Sequence, residues 1–166
     1  MKSLQHLVRQ VQTQAIDSTD FHHAVIHHII EQIGSSRASI WYFNEYKDSL
    51  TCEALFDSRT GEMSSAFVLH AEDYPQYFAA MVNGDTISAV DAINHPLTAC
   101  FAETYFDPLD IKSLLDVSII VKGKVVGVIC CENCEARKMW SEEDIAYLNT
   151  VASMLSLAMP FFFQTA

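Results

Sequence analysis

The dipeptide Lys122-Gly123 lies between two long apolar segments and sets the strongest limit on how this chain can fold. Glycine readily adopts positive φ, and a two-residue turn of this kind joins antiparallel strands. The flanking segments, Lys112 to Val121 and Lys124 to Glu132, are rich in the β-branched residues that favour strands. The sequence therefore predicts a long antiparallel hairpin around which the other elements are arranged.

Side chains alternate between the two faces of a strand, so this hairpin is predicted to have one apolar face and one mixed face. The apolar face is predicted to carry Leu115, Val117, Ile119, Val121, Val126, Val128 and Cys130. The mixed face is predicted to carry Leu114, Asp116, Ser118, Ile120, Val125, Gly127, Ile129 and Cys131. A carboxyl and a hydroxyl in mid-strand indicate a cavity there, because a buried carboxylate needs a partner. Backbone amides, water or a ligand could each supply that partner.

The rest of the chain alternates between helical and strand patterns. Two N-terminal helices are predicted, the second running from an N-cap at Asp17 to Gly34. Further strands are predicted over Arg37 to Phe43, Leu50 to Phe56 and Thr86 to Val90. Short helices are predicted from Asp73, and from Asn94 or His95 to a point before Pro108, and a capping box at Ser141 and Asp144 starts the last helix. This order predicts an α+β fold with one central sheet.

Composition narrows the class of protein. The chain has 166 residues, the length of one domain, and a formal net charge of −11. Such a charge repels phosphate groups, so we expect neither nucleic acid nor a membrane surface as a partner. Five cysteines, an odd number, in a chain that starts without an apolar leader favour a reduced, cytoplasmic location.

The segment from Thr86 to Met159 resembles the second half of a bacterial GAF domain. The resemblance rests on Asp91-Ala92 after a strand, the Ser-Leu-Leu-Asp motif over residues 113–116, the glycine hairpin, a cysteine and glutamate ending its second strand, and Trp140-Ser141 before the last helix. The earlier segments RASIWYFNEYKDSLTCEALFD and DYPQYFAAM also fit the family. In all, the resemblance covers about residues 19–160.

The resemblance implies a GAF fold: a central antiparallel six-stranded sheet, with the terminal helices on one face and short pocket helices on the other. Residues 1–166 would then form a single GAF domain, with its core at about 19–160 and residues 1–18 as an N-terminal helical extension. GAF domains are regulatory sensors that often lie upstream of histidine kinases, diguanylate cyclases or transcription activators. A shared fold does not name the ligand.

On this basis we expect a non-catalytic regulatory domain that senses a small molecule, with no cofactor assigned. The predicted ligand contacts are Tyr74, Tyr77, Phe101, Tyr105, Asp116, Ser118, Ile129 and Cys131. The acidic side chain of Asp116 favours a ligand that is cationic or donates hydrogen bonds, such as an amine, an amino acid or a purine. The signal would pass through the terminal helices to an output domain or signalling partner.

Three alternatives remain open at this point. The chain resembles free methionine-(R)-sulfoxide reductases in length and fold, with Cys100, Cys131 and Cys134 available for thiol chemistry, although the motif of that family is absent. Cys100 also lies near the bilin-attachment position of phytochrome-like GAF domains, although the histidine that normally follows is Phe101 here. Finally, the domain could be a ligand-free dimerisation scaffold.

Two further features concern metals and assembly. His22, His23, His27 and His28 are clustered, and a solvated or interface role is favoured over a metal site for them. The last helix carries two apolar stripes, Ile145, Leu148, Ala152, Leu155 and Met159, and Tyr147, Val151, Met154 and Ala158. One stripe suffices to cover the sheet, so the other predicts a homodimer through the terminal helices. The alternative is that both stripes are buried against the N-terminal helices of the same chain. Three adjacent phenylalanines at residues 161–163 are unexpected on a free surface, and they indicate either docking on that dimer or a chain that continues into an output domain.

Overall fold

The computed structural model describes residues 2–162. Its helices are α1 (Leu4–Gln12), α2 (Ser18–Ile33), α3 (Pro75–Val82), α4 (Asp107–Leu109) and α5 (Glu142–Ala158). Its strands are β1 (Arg37–Phe43), β2 (Ser49–Asp57), β3 (Glu62–Ser64), β4 (Val68–His70), β5 (Ile87–Ala89), β6 (Ile111–Val121) and β7 (Lys124–Cys134). Within the described residues no helix combines the length and hydrophobicity needed to cross a bilayer.

The seven strands found in residues 2–162 form one antiparallel sheet in the order β3-β2-β1-β7-β6-β5, with β4 also paired to β2. β3 pairs with residues 55–57 and β4 with residues 49–51, so these two short strands share one edge position. The sheet is therefore six positions wide, and the predicted α+β fold with a six-stranded antiparallel sheet is confirmed.

The central hairpin is present, but its second strand is turned over relative to the prediction. Lys122 and Gly123 both have positive φ, 51° and 77°, as a two-residue hairpin turn requires. Val121 pairs with Lys124, but Ile119 then pairs with Gly127, so a β-bulge intervenes close to the turn. One extra residue exchanges the faces of every following side chain. The predicted faces of β6 are confirmed, and those of β7 beyond the bulge are wrong.

Two hydrophobic clusters lie on opposite sides of the sheet. The side covered by α1, α2 and α5, here called the helix face, buries Phe21, Ile29, Leu115, Ile119, Ile129, Cys131 and Leu148 among others. The side covered by α3 and residues 99–109, here called the cavity face, buries Trp41, Tyr77, Phe101, Phe106, Leu114 and Cys130 among others. The predicted division between terminal helices and short helices is confirmed.

The prediction of one helix between residues 94 and 108 is wrong, because this segment contains three short helical turns of different types. Turns lead into a 3₁₀ turn over Ala99–Phe101 and a π-helical turn over Ala102–Phe106, before the short α4. A π turn brings residues five apart onto the same side. Phe101 and Phe106 accordingly both face the sheet, with ring centroids 5.7 Å apart.

Both apolar stripes of α5 pack against the helix face of the same chain, although Ile145, Tyr147, Met154 and Met159 are only partly buried. Leu148, Val151, Ala152, Leu155 and Ala158 are all buried on the helix face. Phe162 also packs internally, with its ring 4.7 Å from that of His22, while Phe163 lies outside the described residues. Leu157 is the large apolar residue of α5 that stays exposed, at 56%. The homodimer remains a prediction.

Candidate functional site

A cavity of about 160 Å³ lies on the cavity face, between the sheet, α3 and the π turn. Its lining residues are Trp41, Leu69, Tyr74, Tyr77, Phe101, Thr104, Tyr105, Phe106, Leu114, Asp116, Cys130 and Glu132. An engineered cavity of about 150 Å³ binds benzene, so this space holds a compact molecule of roughly that size.

Aromatic rings from three parts of the chain form the walls. Tyr74, the N-cap of α3, stacks on Phe101 with ring centroids 4.3 Å apart. Tyr77, one turn further into α3, meets Phe101 edge to face at 5.0 Å. Tyr105 packs against Phe101 from the π turn at 6.3 Å. These edge and face contacts are the favoured arrangements of aromatic pairs, so the rings hold one another in place.

Asp116 is the unusual polar group of the cavity, because it is fully buried and only partly bonded. The Tyr77 hydroxyl donates a short hydrogen bond to its Oδ2 atom. Its Oδ1 atom has no hydrogen-bond partner within bonding distance among the described residues. Burial raises the pKa of Asp116 to about 7, and the neighbouring Cys130 thiol and Tyr77 hydroxyl favour the ionised form without overcoming burial. A thiol is a weak donor, so Oδ1 remains available to a stronger one.

A second polar group, centred on Arg37, closes one side of the cavity. Arg37 Nε donates to Glu132 at 2.9 Å, Nη1 to Asp57 at 3.2 Å and Nη2 to the Tyr105 hydroxyl at 3.0 Å. The Tyr105 hydroxyl in turn donates to Glu132 at 3.0 Å. Burial raises the pKa of the Glu132 carboxyl, and Arg37 opposes that shift. Asp57 is shared with Arg59, so this network is satisfied internally.

A family model for the GAF domain matches residues 17–159. The chain belongs to the GAF domain family. The match begins at the N-cap of α2 and ends just after α5, so it contains the whole sheet and the cavity. No curated protein sequence matches this GAF domain.

Solved GAF domain structures are similar over nearly the whole chain at low identity. The phycocyanobilin-bound GAF domain of a cyanobacterial phytochrome is 18% identical, with 98% of this chain and 96% of that one covered and a TM-score of 0.75. The GAF domain of an Acinetobacter phosphoenolpyruvate-protein phosphotransferase is 17% identical, with coverages of 98% and 94% and a TM-score of 0.73. At these identities the similarity establishes the fold and leaves the ligand open.

Five of the eight predicted contacts lie around the cavity of this GAF domain. They are Tyr74, Tyr77, Phe101, Tyr105 and Asp116. Ser118 shares their face, but its hydroxyl is 3.4 Å from the carbonyl oxygens of both Met81 and Asp85, beside the end of α3 and outside the cavity lining.

Two predicted contacts need correction. Ile129 and Cys131 lie on the helix face, because the bulge turns β7 over, and cannot form the cavity floor. Cys130 takes the predicted place of Cys131, directly across the ladder from Asp116. Gly127 is required by packing, since a Cβ atom there would lie 2.3 Å from the Trp41 carbonyl oxygen. It permits close approach of β1 and does not open the cavity.

The sequence did not predict the roles of Trp41 and Glu132 in the cavity lining, or of Arg37, which bonds to Glu132. Arg37 and Glu132 pair across the β1–β7 ladder, which brings together residues 95 positions apart in the chain. The signal available in the sequence was the presence of charged residues inside otherwise apolar strands, since such residues are seldom buried unless paired.

The clustered histidines all lie on α2, but those with described contacts point to different partners. His22 is buried and bonds to the Ser18 carbonyl and the Tyr42 hydroxyl at 2.6 and 2.8 Å. His28 Nδ1 lies 2.5 Å from the Tyr147 hydroxyl, and the His27 ring packs on Phe56. Across residues 2–162, no three histidine, cysteine or acidic side chains are arranged to hold a metal ion.

Proposed function

We propose that this GAF domain is a non-catalytic regulatory domain that binds a small molecule in the cavity between the sheet and α3. The observation that carries the proposal is Asp116, a residue of the cavity lining whose buried Oδ1 atom lacks a hydrogen-bond partner among the described residues. An unsatisfied buried acceptor costs about 1–3 kcal/mol, and a bound ligand would recover that energy. The aromatic walls with a few convergent polar groups have the character of a ligand site.

The state of the thiols supports a binding role over the alternative thiol-based redox reaction. Such an enzyme needs a cysteine whose pKa is lowered towards neutrality. Burial instead raises the pKa of Cys52 to about 12 and raises the pKa values of Cys100, Cys130, Cys131 and Cys134. Turnover of free methionine sulfoxide with thioredoxin, lost in a cysteine variant, would contradict this part of the proposal.

A bilin is not part of the proposal. The structural relatives include bilin-bound domains, but a linear tetrapyrrole has four rings, and this cavity has room for about one. Cys100 is exposed and does not line the cavity, while the next residue, Phe101, fills the space beside it.

The proposed route of the signal runs through Arg37. This residue starts β1 and follows the end of α2 by a short link, while its guanidinium holds Glu132 in the cavity lining. A ligand that changes the position of Glu132 or Tyr105 therefore acts on the arginine and on the link to α2. The terminal helices would pass the change to an output domain or, in a homodimer, to a second copy.

A thermal-shift screen of small metabolites tests the proposal. We expect at least one compound to raise the melting temperature of the wild type and to lose its effect in Cys130→Met, which places extra volume beside Asp116. Cys100→Met makes the same substitution at an exposed position outside the cavity and should retain the response. Native mass spectrometry of the purified protein adds a direct readout of retained ligand. If no compound stabilises the wild type and none is retained, the scaffold alternative replaces this proposal.

A further inference from the structure

One of the two carboxyl groups that line the cavity has no cationic partner. Two carboxyls, Asp116 and Glu132, line it, and none of its lining residues is lysine or arginine. Arg37 lies behind Glu132 and is already bonded to Glu132, Asp57 and the Tyr105 hydroxyl. Asp116 is therefore the carboxyl without a cationic partner, and a bound anion would meet two acidic groups and no free cation.

The walls are suited to a positive charge. Six aromatic side chains line the cavity, namely Trp41, Tyr74, Tyr77, Phe101, Tyr105 and Phe106. The negative face of an aromatic ring attracts an ammonium ion within about 6 Å, by about 2 kcal/mol when the pair is removed from water. Asp116 adds a full charge and an acceptor oxygen that still needs a donor. An ammonium group supplies both the positive charge and the N–H donor.

Size restricts the body of the ligand. A space of about 160 Å³ matches a molecule of about six non-hydrogen atoms, the size of benzene. An α-amino acid of the right size would bring a carboxylate for which the cavity offers no cation.

We propose that, given the sensor function above, the cavity selects a protonated monoamine with a compact apolar body, whose ammonium group donates a hydrogen bond to Asp116 Oδ1. The aromatic rings enclose the body, and Glu132 stays with Arg37. The site thereby distinguishes an amine from the neutral alcohol of the same shape and from the amino acid that carries an added carboxylate.

This inference has a pH dependence that follows from the groups facing Asp116. These are Tyr77 from α3 and Cys130 and Glu132 from β7, while its β5 neighbour is the apolar Ile87. The cation binds the ionised carboxylate, and the pKa of Asp116 in the free protein is about 7. Affinity should therefore fall up to about tenfold per pH unit below 7 and level off by pH 8.

Calorimetric titration of the wild type with three matched compounds tests the inference. The compounds are 3-methylbutylamine, its neutral counterpart 3-methylbutan-1-ol, and leucine, which has the same side chain with an added carboxylate. At pH 8 we expect the amine to bind at least about 30-fold more tightly than the alcohol, because a buried, hydrogen-bonded charge pair contributes that much or more. Leucine should not bind. These comparisons use the wild type alone, so they do not depend on how any variant folds.

A pair of variants then assigns the preference to one carboxyl. Asp116→Asn should reduce amine affinity at least about 30-fold while leaving alcohol affinity within a few-fold. Asp91→Asn makes the same change at a residue outside the cavity lining and should bind the amine as the wild type does. Equal affinity for amine and alcohol, or an unchanged amine affinity in Asp116→Asn, would overturn the inference. If a neutral compound from the metabolite screen binds and amines do not, this inference fails while the sensor proposal stands.

Discussion

The two faces of the sheet share the same strands but differ in how completely they are packed and how fully their buried polar groups are hydrogen-bonded. On the helix face, Leu115, Val117 and Ile119 are completely buried, and the buried His22 has partners for both ring nitrogens. On the cavity face, aromatic rings surround an open space, and Asp116 keeps one oxygen without a partner. Native cores normally satisfy their buried polar groups. The difference supports the proposal that the cavity face binds a ligand while the helix face holds the domain together.

Removing the central cation of the cavity face should give the largest loss of stability. Arg37→Met leaves Glu132 buried without its cationic partner, while Asp57 keeps its ion pair with Arg59, so the free energy of unfolding should fall by about 3–5 kcal/mol. Urea unfolding measures the change. Arg137→Met removes an exposed ion pair with Asp91 and should cost less than about 1 kcal/mol. Equal losses of unfolding free energy in the two variants would show that the buried network stabilises the fold no more than an exposed ion pair does.

The two faces should also respond to pH with opposite signs. Asp116 has a folded-state pKa of about 7 against an ordinary 3.8, so its contribution is present below pH 4 and is lost as the pH rises to 7. His22 on the helix face has its pKa lowered by burial from 6.5 to about 4, so its contribution is present above pH 6.5 and is lost as the pH falls.

Comparing wild type with Asp116→Asn separates these effects. Between pH 4 and 7 the stability of the wild type should fall relative to that of the variant, by at most about 1.4 kcal/mol per pH unit. Urea unfolding at intervals of half a pH unit gives the difference curve. A flat difference would mean that the folded state does not perturb the titration of Asp116.

Matched leucine truncations compare packing on the two faces. Leu148→Ala on the helix face should cost about 3 kcal/mol, because Leu148 is fully buried in a filled core. Leu69→Ala at the half-buried cavity wall should cost less, and it should weaken binding of a cavity ligand while Leu148→Ala leaves binding unchanged. The reverse pattern in stability or in binding would remove the distinction between the faces.

The sequence predicts the fold further than it predicts the site. Local signals placed the hairpin turn, the Asp17 and Ser141 caps and the Gly34 terminator, each confirmed by the structure. Asp116 was found because a carboxyl in mid-strand is unusual whatever its surroundings.

Other parts of the site depend on interactions that no local pattern contains. The bulge near the turn of the hairpin decides which cysteine reaches the cavity, and alternation along the strand cannot reveal it. The Arg37–Glu132 pair forms only when β1 and β7 become neighbours. The π turn also follows no local pattern, and it places Phe101 and Phe106 in the same buried cluster.

A smaller loss of stability is expected when Gly127, the glycine within β7, is replaced, and this loss tests whether β1 needs to approach it closely. Gly127→Ala would place a Cβ atom against the Trp41 carbonyl, so it should cost about 2 kcal/mol by separating β1 from β7. Gly61→Ala meets no atom within 4 Å and should cost about 1 kcal/mol, from its positive φ alone. Thermal unfolding of the two variants checks the order. A Gly127→Ala variant as stable as the wild type would refute the close approach.

The central claim is that the space on the cavity face, between the sheet, α3 and the π turn, accepts a guest molecule while the buried core of the helix face does not. Methyl NMR during a titration with benzene tests this claim most directly. Benzene fits the volume and needs no polar contact. The methyl signals of Leu69 and Leu114 should move and saturate, while those of Leu115 and Leu148 on the helix face should not. Unmoved signals from Leu69 and Leu114 at saturating benzene would contradict the account.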